Sequence, residues 1–119
     1  MSNKKTTLDE IIEQKELLLS GHSACPGCGS VIGLRYVLKA LGENTVLVVP
    51  ACCASIYQTA WPNSSFGVHT YNTAFASAAA VASGIKHGLK VKGHDNVNVA
   101  VWGGDGGIID IGFATVSGA

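Results

Sequence analysis

Two β-branched, apolar runs constrain this chain more than any other feature: Thr45-Val46-Leu47-Val48-Val49 and Val97-Asn98-Val99-Ala100-Val101-Trp102. Runs of this kind mark strands buried on both faces, as in parallel sheets covered by helices. Between them the chain is rich in small residues from Thr73 to about Lys92, with Ala74, Ala76, Ala78, Ala79, Ala80, Ala82 and Gly84. That composition predicts a helix whose small side chains let it approach its neighbour closely, and Gly93 ends it. Ahead of the first run, Val31, Leu34, Val37, Leu38 and Leu41 fall on one helical face, with Ser30 as the expected cap and Gly42 as the stop. Helix, strand, helix, strand and a final helix beginning near Ile109 alternate. The pattern predicts an α/β domain with a parallel sheet flanked by helices.

The rest of the chain organises around that unit. Residues 1–5 read as a loose start. Thr7-Leu8-Asp9-Glu10 fits a capping box, and Ile11, Ile12, Leu17, Leu18 and Leu19 follow at roughly helical spacing. Residues 1–20 are therefore expected to form a helical extension, and 21–119 the domain. Gly21 to Gly29 reads as a loop. Residues 55–72, with Trp61-Pro62-Asn63, read as a long irregular connection. No internal repeat or interdomain linker is evident.

Charge narrows the function classes. The 119 residues carry 8 basic and 8 acidic side chains, so the formal net charge is zero, and no basic stripe with interleaved aromatics suggests nucleic acid. No apolar run is long enough for a membrane span, and the polar start, Met1 to Glu16, has no signal-peptide core. The expected location is cytoplasmic. Charged residues make up 13% of the chain, against about 25% in an average soluble domain. So little polar material to cover a core is naturally explained by a face buried against other chains.

In open parallel sheets, ligands sit beyond the carboxyl ends of the strands. Both oddities of this sequence fall there: Pro50-Ala51-Cys52-Cys53-Ala54 after the first strand, and Gly103-Gly104-Asp105-Gly106-Gly107 after the second. That coincidence predicts a cofactor at this edge. Cys25 and Cys28 form a C-x2-C turn that can present two thiolates to one metal or one cluster. With Cys52 and Cys53, three chemistries compete: an iron–sulfur cluster, a zinc site of four thiolates, and a thiol redox pair on Cys25-Pro26-Gly27-Cys28. Inert buried cysteines are the ordinary alternative. A redox pair of the thioredoxin kind follows a strand, whereas a helix and the polar Gly21-His22-Ser23 precede this one. The Gly-Asp-Gly turn lacks the signatures of dinucleotide and P-loop sites. It offers backbone amides to an anion and one carboxylate at a strand tip, which suits Mg²⁺ completed by phosphate oxygens. Its bland counterpart is a tight turn whose Asp bonds its own backbone.

Taken together, four segments resemble the β subunit of 2-oxoacid:ferredoxin oxidoreductases. They are Gly21 to Gly29, Cys53-Ala54-Ser55-Ile56-Tyr57, Asn72 to Gly84, and Gly104 to Gly112 continuing to Ala119. The resemblance runs from about residue 20 to the end, and its specificity lies in the order and spacing of the motifs. It implies a domain that binds the diphosphate end of thiamine diphosphate. Asp105 would ligate Mg²⁺, and Gly104, Gly106 and Gly107 would face the diphosphate. Ala51, Cys52, Cys53 and Ala54, with Thr70, Tyr71, Asn72 and Thr73, would line the pocket. Cys25, Cys28 and Cys53 would hold a [4Fe–4S] cluster, with Cys52 a spectator in the pocket wall. The family's second Mg²⁺ ligand segment and fourth cluster cysteine would lie beyond Ala119, so the sequence reads as the N-terminal part of such a subunit.

The activity so implied is oxidative decarboxylation of a 2-oxoacid, pyruvate first, with electrons passed to ferredoxin and the acyl group to coenzyme A. Subunits of the α, γ and δ types would be partners. No glutamate here is a candidate for activating the aminopyrimidine, which places the complete active site at a subunit interface. His22 and His69 are candidates for a direct role, although lone histidines are more often surface or satisfied core residues. Trp61 and Trp102 read as packing residues. Two readings from other classes stand beside this one: a zinc-stapled interaction module, and a thiol oxidoreductase built on Cys25 and Cys28.

Overall fold

The computed structural model describes residues 8–59 and 63–119. The expected capping box at Thr7, the loose start and the packing role of Trp61 beside Pro62 lie outside them. The chain forms helix α1 (Leu8–Glu13), α2 (Gly29–Leu41), strand β1 (Thr45–Pro50), a short helix α3 (Cys53–Tyr57) and β2 (His69–Thr73). A 3-10 turn (Phe75–Ser77), α4 (Ala78–Val91), β3 (Asn98–Val101), α5 (Asp105–Ile108) and α6 (Phe113–Gly118) complete it. The fold is an α/β sheet of three parallel strands in the order β2-β1-β3, flanked by helices.

The central strand is the one with the most apolar run. Leu47, Val48 and Val49 are fully buried, because β1 has a hydrogen-bonded neighbour on each side and helices over its faces. Pro50, expected to stop the strand, is its last residue and is buried too. On α2, Val31, Leu34 and Leu38 form the buried stripe. Gly42 closes that helix at φ 79, a left-handed conformation that favours glycine, and its N–H donates to Leu38 O at 2.9 Å. Thr45, buried at the start of β1, satisfies its hydroxyl on Gly42 O at 2.7 Å.

Four expectations are corrected. The front helix stops at Glu13 rather than continuing to Leu19. Leu18 forms an isolated bridge with Phe66, the Leu17 carbonyl accepts from Gly67 N–H at 2.7 Å, and both leucines join the core, so the apolar cluster of this segment is used edge-on rather than as a helical face. Ser30 does not cap α2. Cys28 occupies that position, and the Ser30 hydroxyl bonds Tyr57 instead. The connection 55–72 contains most of α3 and much of β2, two short elements that periodicity does not reveal. The final helical stretch begins at Asp105 instead of Ile109 and is interrupted before Phe113.

Candidate functional site at the carboxyl edge of the sheet

Because the strands are parallel, β1 and β3 release the chain on the same edge. The β1 exit turns through Ala51 and Cys52 into α3. Cys52 is extended, its N–H donates to Ser55 Oγ at 3.0 Å, and that hydroxyl donates back to Cys52 O at 2.7 Å. The β3 exit turns through Trp102, Gly103 and Gly104 into α5, which starts at Asp105. Between the exits lies a cavity of about 320 Å³, at the small end of the range for small-molecule sites. Ser30, Ala51, Cys52, Cys53 and Ala54 line one side, and Phe75, Trp102 and Gly103 to Gly107 the other.

The glycines shape this wall by what they lack. A Cβ on Gly103 would lie 2.7 Å, and on Gly107 2.8 Å, from Pro50 Cγ, so the turn after β3 packs directly on the last residue of β1. Gly107 is buried by this packing, whereas Gly104 and Gly106 are partly exposed in the cavity wall. Asp105 is exposed, and its carboxylate has no hydrogen bond or ion pair among the described residues. One free carboxylate beside open backbone fits Mg²⁺ with an anionic ligand, since the ion completes its shell from water or phosphate oxygen.

The loop that carries the cysteine turn docks on the C-terminal end of α3. Cys28 N–H donates to Cys25 O at 3.1 Å, and Gly27 takes φ 73 to close the turn. Ser23 docks the loop, its N–H donating to Tyr57 O at 3.1 Å and its hydroxyl to Ile56 O at 3.2 Å. All four cysteines are free thiols, Cys25 and Cys53 exposed, Cys28 and Cys52 packed in part against the core. The donor chemistry suits a cluster or a soft metal. Yet among the described residues no group of three or more His, Cys, Asp or Glu side chains is gathered to hold an ion.

Of the residues singled out in the sequence, Ala51, Cys52, Cys53, Ala54, Gly104, Asp105, Gly106 and Gly107 line the cavity. Cys25 and Cys28 do not, and neither does His22, which is exposed in the loop before them. Thr70 and Asn72 line a separate polar depression with Gln58 and His69. Tyr71 is exposed on β2, and the Thr73 hydroxyl pairs with that of Ser77 at 2.6 Å. Three wall residues escaped sequence reasoning as cavity residues: Ser30, Phe75 and Trp102. Trp102 does pack, its ring lying against Gly33, but it also faces the cavity.

One titratable group stands between the two cysteine segments. Tyr57 is 2% exposed, and its hydroxyl meets Ser30 Oγ at 3.0 Å and Trp102 Nε1 at 3.2 Å. Burial pushes its phenol above the ordinary value of 10.0. The hydrogen bonds to Ser30 and Trp102 oppose that shift, and the nearby thiols of Cys28 and Cys52 add to it. Tyr57 is therefore a neutral phenol at physiological pH.

No protein-family model matches the chain. Individual relatives do. The chain is 50% identical over 109 residues to the ketoisovalerate oxidoreductase subunit VorB of Pyrococcus horikoshii, covering 87% of this chain and 35% of that protein. It is 45% identical over 108 residues to the pyruvate synthase subunit PorB of Methanothermobacter thermautotrophicus, covering 91% and 38%. The PorB of Methanocaldococcus jannaschii is 38% identical over 113 residues, with 89% and 38% covered. The chain thus spans little more than a third of the length of the curated relatives it matches. Over the matched stretch the chain is similar to the N-terminal part of these 2-oxoacid:ferredoxin oxidoreductase β subunits.

Proposed function

We propose that this chain is the N-terminal part of a cytoplasmic 2-oxoacid:ferredoxin oxidoreductase β subunit, and that it holds thiamine diphosphate, Mg²⁺ and a [4Fe–4S] cluster. The observation that carries this reading is the meeting of two exits at one cavity. A cysteine-bearing turn after β1 and a Gly-Asp-Gly turn after β3 face each other at the carboxyl edge of a parallel sheet. In this reading Asp105 ligates Mg²⁺, the backbone at Gly104, Gly106 and Gly107 faces the diphosphate, and Ala51 to Ala54 form the opposite wall. Thr70 to Thr73 would reach the cofactor only from the β2 side. Cys25, Cys28 and Cys53 would hold the cluster.

Thiamine diphosphate supplies the electron sink that decarboxylation of a 2-oxoacid requires. The chain's own residues bind, orient and exclude water: Phe75 and Trp102 wall the cavity, and Asp105 would hold Mg²⁺ at the diphosphate end. Exposed apolar side chains include Phe75 in the cavity wall, Ile56 on α3, and Ile109, Ile111 and Phe113 after the Gly-Asp-Gly turn. They suit burial against partner subunits, through which ferredoxin and coenzyme A would be engaged. The substrate class is a 2-oxoacid, with pyruvate and ketoisovalerate as the two acids to test first.

The test uses the intact complex purified without oxygen. Iron content and visible absorbance are measured before and after adding single 2-oxoacids with coenzyme A. Iron–sulfur absorbance that bleaches with one acid is the expected result and names the substrate. A colourless protein carrying stoichiometric zinc and inert to every acid would overturn the proposal.

A further inference from the structure

The polarity of the hydrogen-bonded chain at Tyr57 can be worked out from donor and acceptor inventories. Trp102 Nε1 is a donor only, so at 3.2 Å it donates to Tyr57 Oη. Tyr57 Oη carries one proton of its own. Among the described residues the acceptor within reach of it is Ser30 Oγ, at 3.0 Å. Were Ser30 the donor, a phenol that is almost fully buried would have a proton with no acceptor, at the cost that attaches to any unsatisfied buried polar group. The chain therefore runs Trp102 to Tyr57 to Ser30, and the Ser30 proton is left over. Among the described residues Ser30 caps nothing in α2 and bonds no backbone carbonyl, and it stands in the cavity wall. Hydrogen bonds in series polarise one another, which strengthens the last donor.

We infer that Ser30 is a hydrogen-bond donor to the cofactor bound in this cavity, and that Trp102 and Tyr57 are positioning residues that set its direction. The inference rests on the cavity being the thiamine diphosphate site. It assigns Ser30, on the far side from Asp105, to an acceptor atom of the bound cofactor.

The experiment is a calorimetric titration of thiamine diphosphate with Mg²⁺ into the intact complex after the cofactor has been stripped. Ser30→Ala is expected to weaken binding by about five- to tenfold, the size of one hydrogen bond. Ser30→Thr, which keeps the hydroxyl, is expected to restore affinity. Tyr57→Phe should weaken binding comparably on its own and add nothing in the Ser30→Ala background. A Tyr57→Phe effect that persists undiminished in that background means Tyr57 acts structurally, and overturns the relay. Wild-type binding with an unchanged Ser30→Ala variant overturns the donor role. If the wild-type complex binds no thiamine diphosphate, the functional reading fails first and takes the inference with it. Because Ser30 is exposed in the first turn of α2, its substitution tests the idea even if Tyr57→Phe fails to assemble.

Discussion

The two exits that frame the cavity are built by opposite means. At the β1 exit, side chains do the work. Ser55 ties down the start of α3 through Cys52, Ser23 docks the cysteine loop, and Tyr57 joins Ser30 to Trp102. At the β3 exit, missing side chains do it. Gly103 and Gly107 sit against Pro50, and Gly112 folds back until a Cβ there would lie 1.8 Å from the Gly107 carbonyl oxygen. One wall is specified by hydrogen bonds and the other by steric room. The first should lose stability in steps of about one bond, and the second should fail abruptly when a side chain is added at Gly103, Gly107 or Gly112.

The largest effect is therefore expected at Gly112→Ala. The clash is with backbone, which cannot swing aside, so a loss of more than about 3 kcal/mol is expected, read as a large drop in the urea midpoint or as failed assembly of the intact subunit. Tyr57→Phe comes next, at about 1–2 kcal/mol, because it strands the Trp102 donor. It has a pH signature as well. The folded phenol titrates above the ordinary value of 10.0, so its contribution is present below about pH 10 and fades as pH rises through the folded value. Tyr57→Phe should flatten that alkaline loss, seen as a smaller wild-type-to-variant difference in midpoint at high pH.

Legibility from sequence divides along similar lines. β1 and α2 could be read because their apolar patterns are buried as patterns, and Gly42 sits where the helix must turn left-handed. β2 could not, because His69-Thr70-Tyr71-Asn72-Thr73 is a polar edge strand defined by its pairing with β1. α3 is five residues long, too short for a period to show. In the site, both strand-end motifs were legible as chemistry. Their neighbours were not. Ser30 looked like a cap, and nothing local to it signals a bond to Tyr57, 27 residues away. Phe75 reaches the wall from the 3-10 turn, a tertiary placement with no sequence signature.

Two smaller effects sharpen the comparison. Ser55→Ala removes the tie across the β1 exit and should cost about 1 kcal/mol, as loss of a helix-start cap does, checked by denaturant unfolding. Glu16 belongs to neither exit and serves as the control. Burial would raise its carboxyl, but the hydrogen bond and charge of Arg35, with Lys39 at 3.6 Å, hold it below the ordinary 4.5. Its contribution is thus present above about pH 4.5 and is lost as pH falls through the lower folded value. Glu16→Gln should change stability at neutral pH by less than about 1 kcal/mol, with the difference from wild type shrinking in acid. It should leave thiamine diphosphate affinity untouched.

The measurement that bears most directly on the central claim is thiamine diphosphate affinity of the intact complex as a function of Mg²⁺, for the wild type and for Asp105→Asn. If the two exits form one cofactor site with Asp105 as a metal ligand, wild-type binding depends on Mg²⁺ and the variant loses at least about tenfold of it, roughly one charge-assisted contact. Equal affinity in the two proteins, or binding indifferent to Mg²⁺, would contradict the assignment of this cavity.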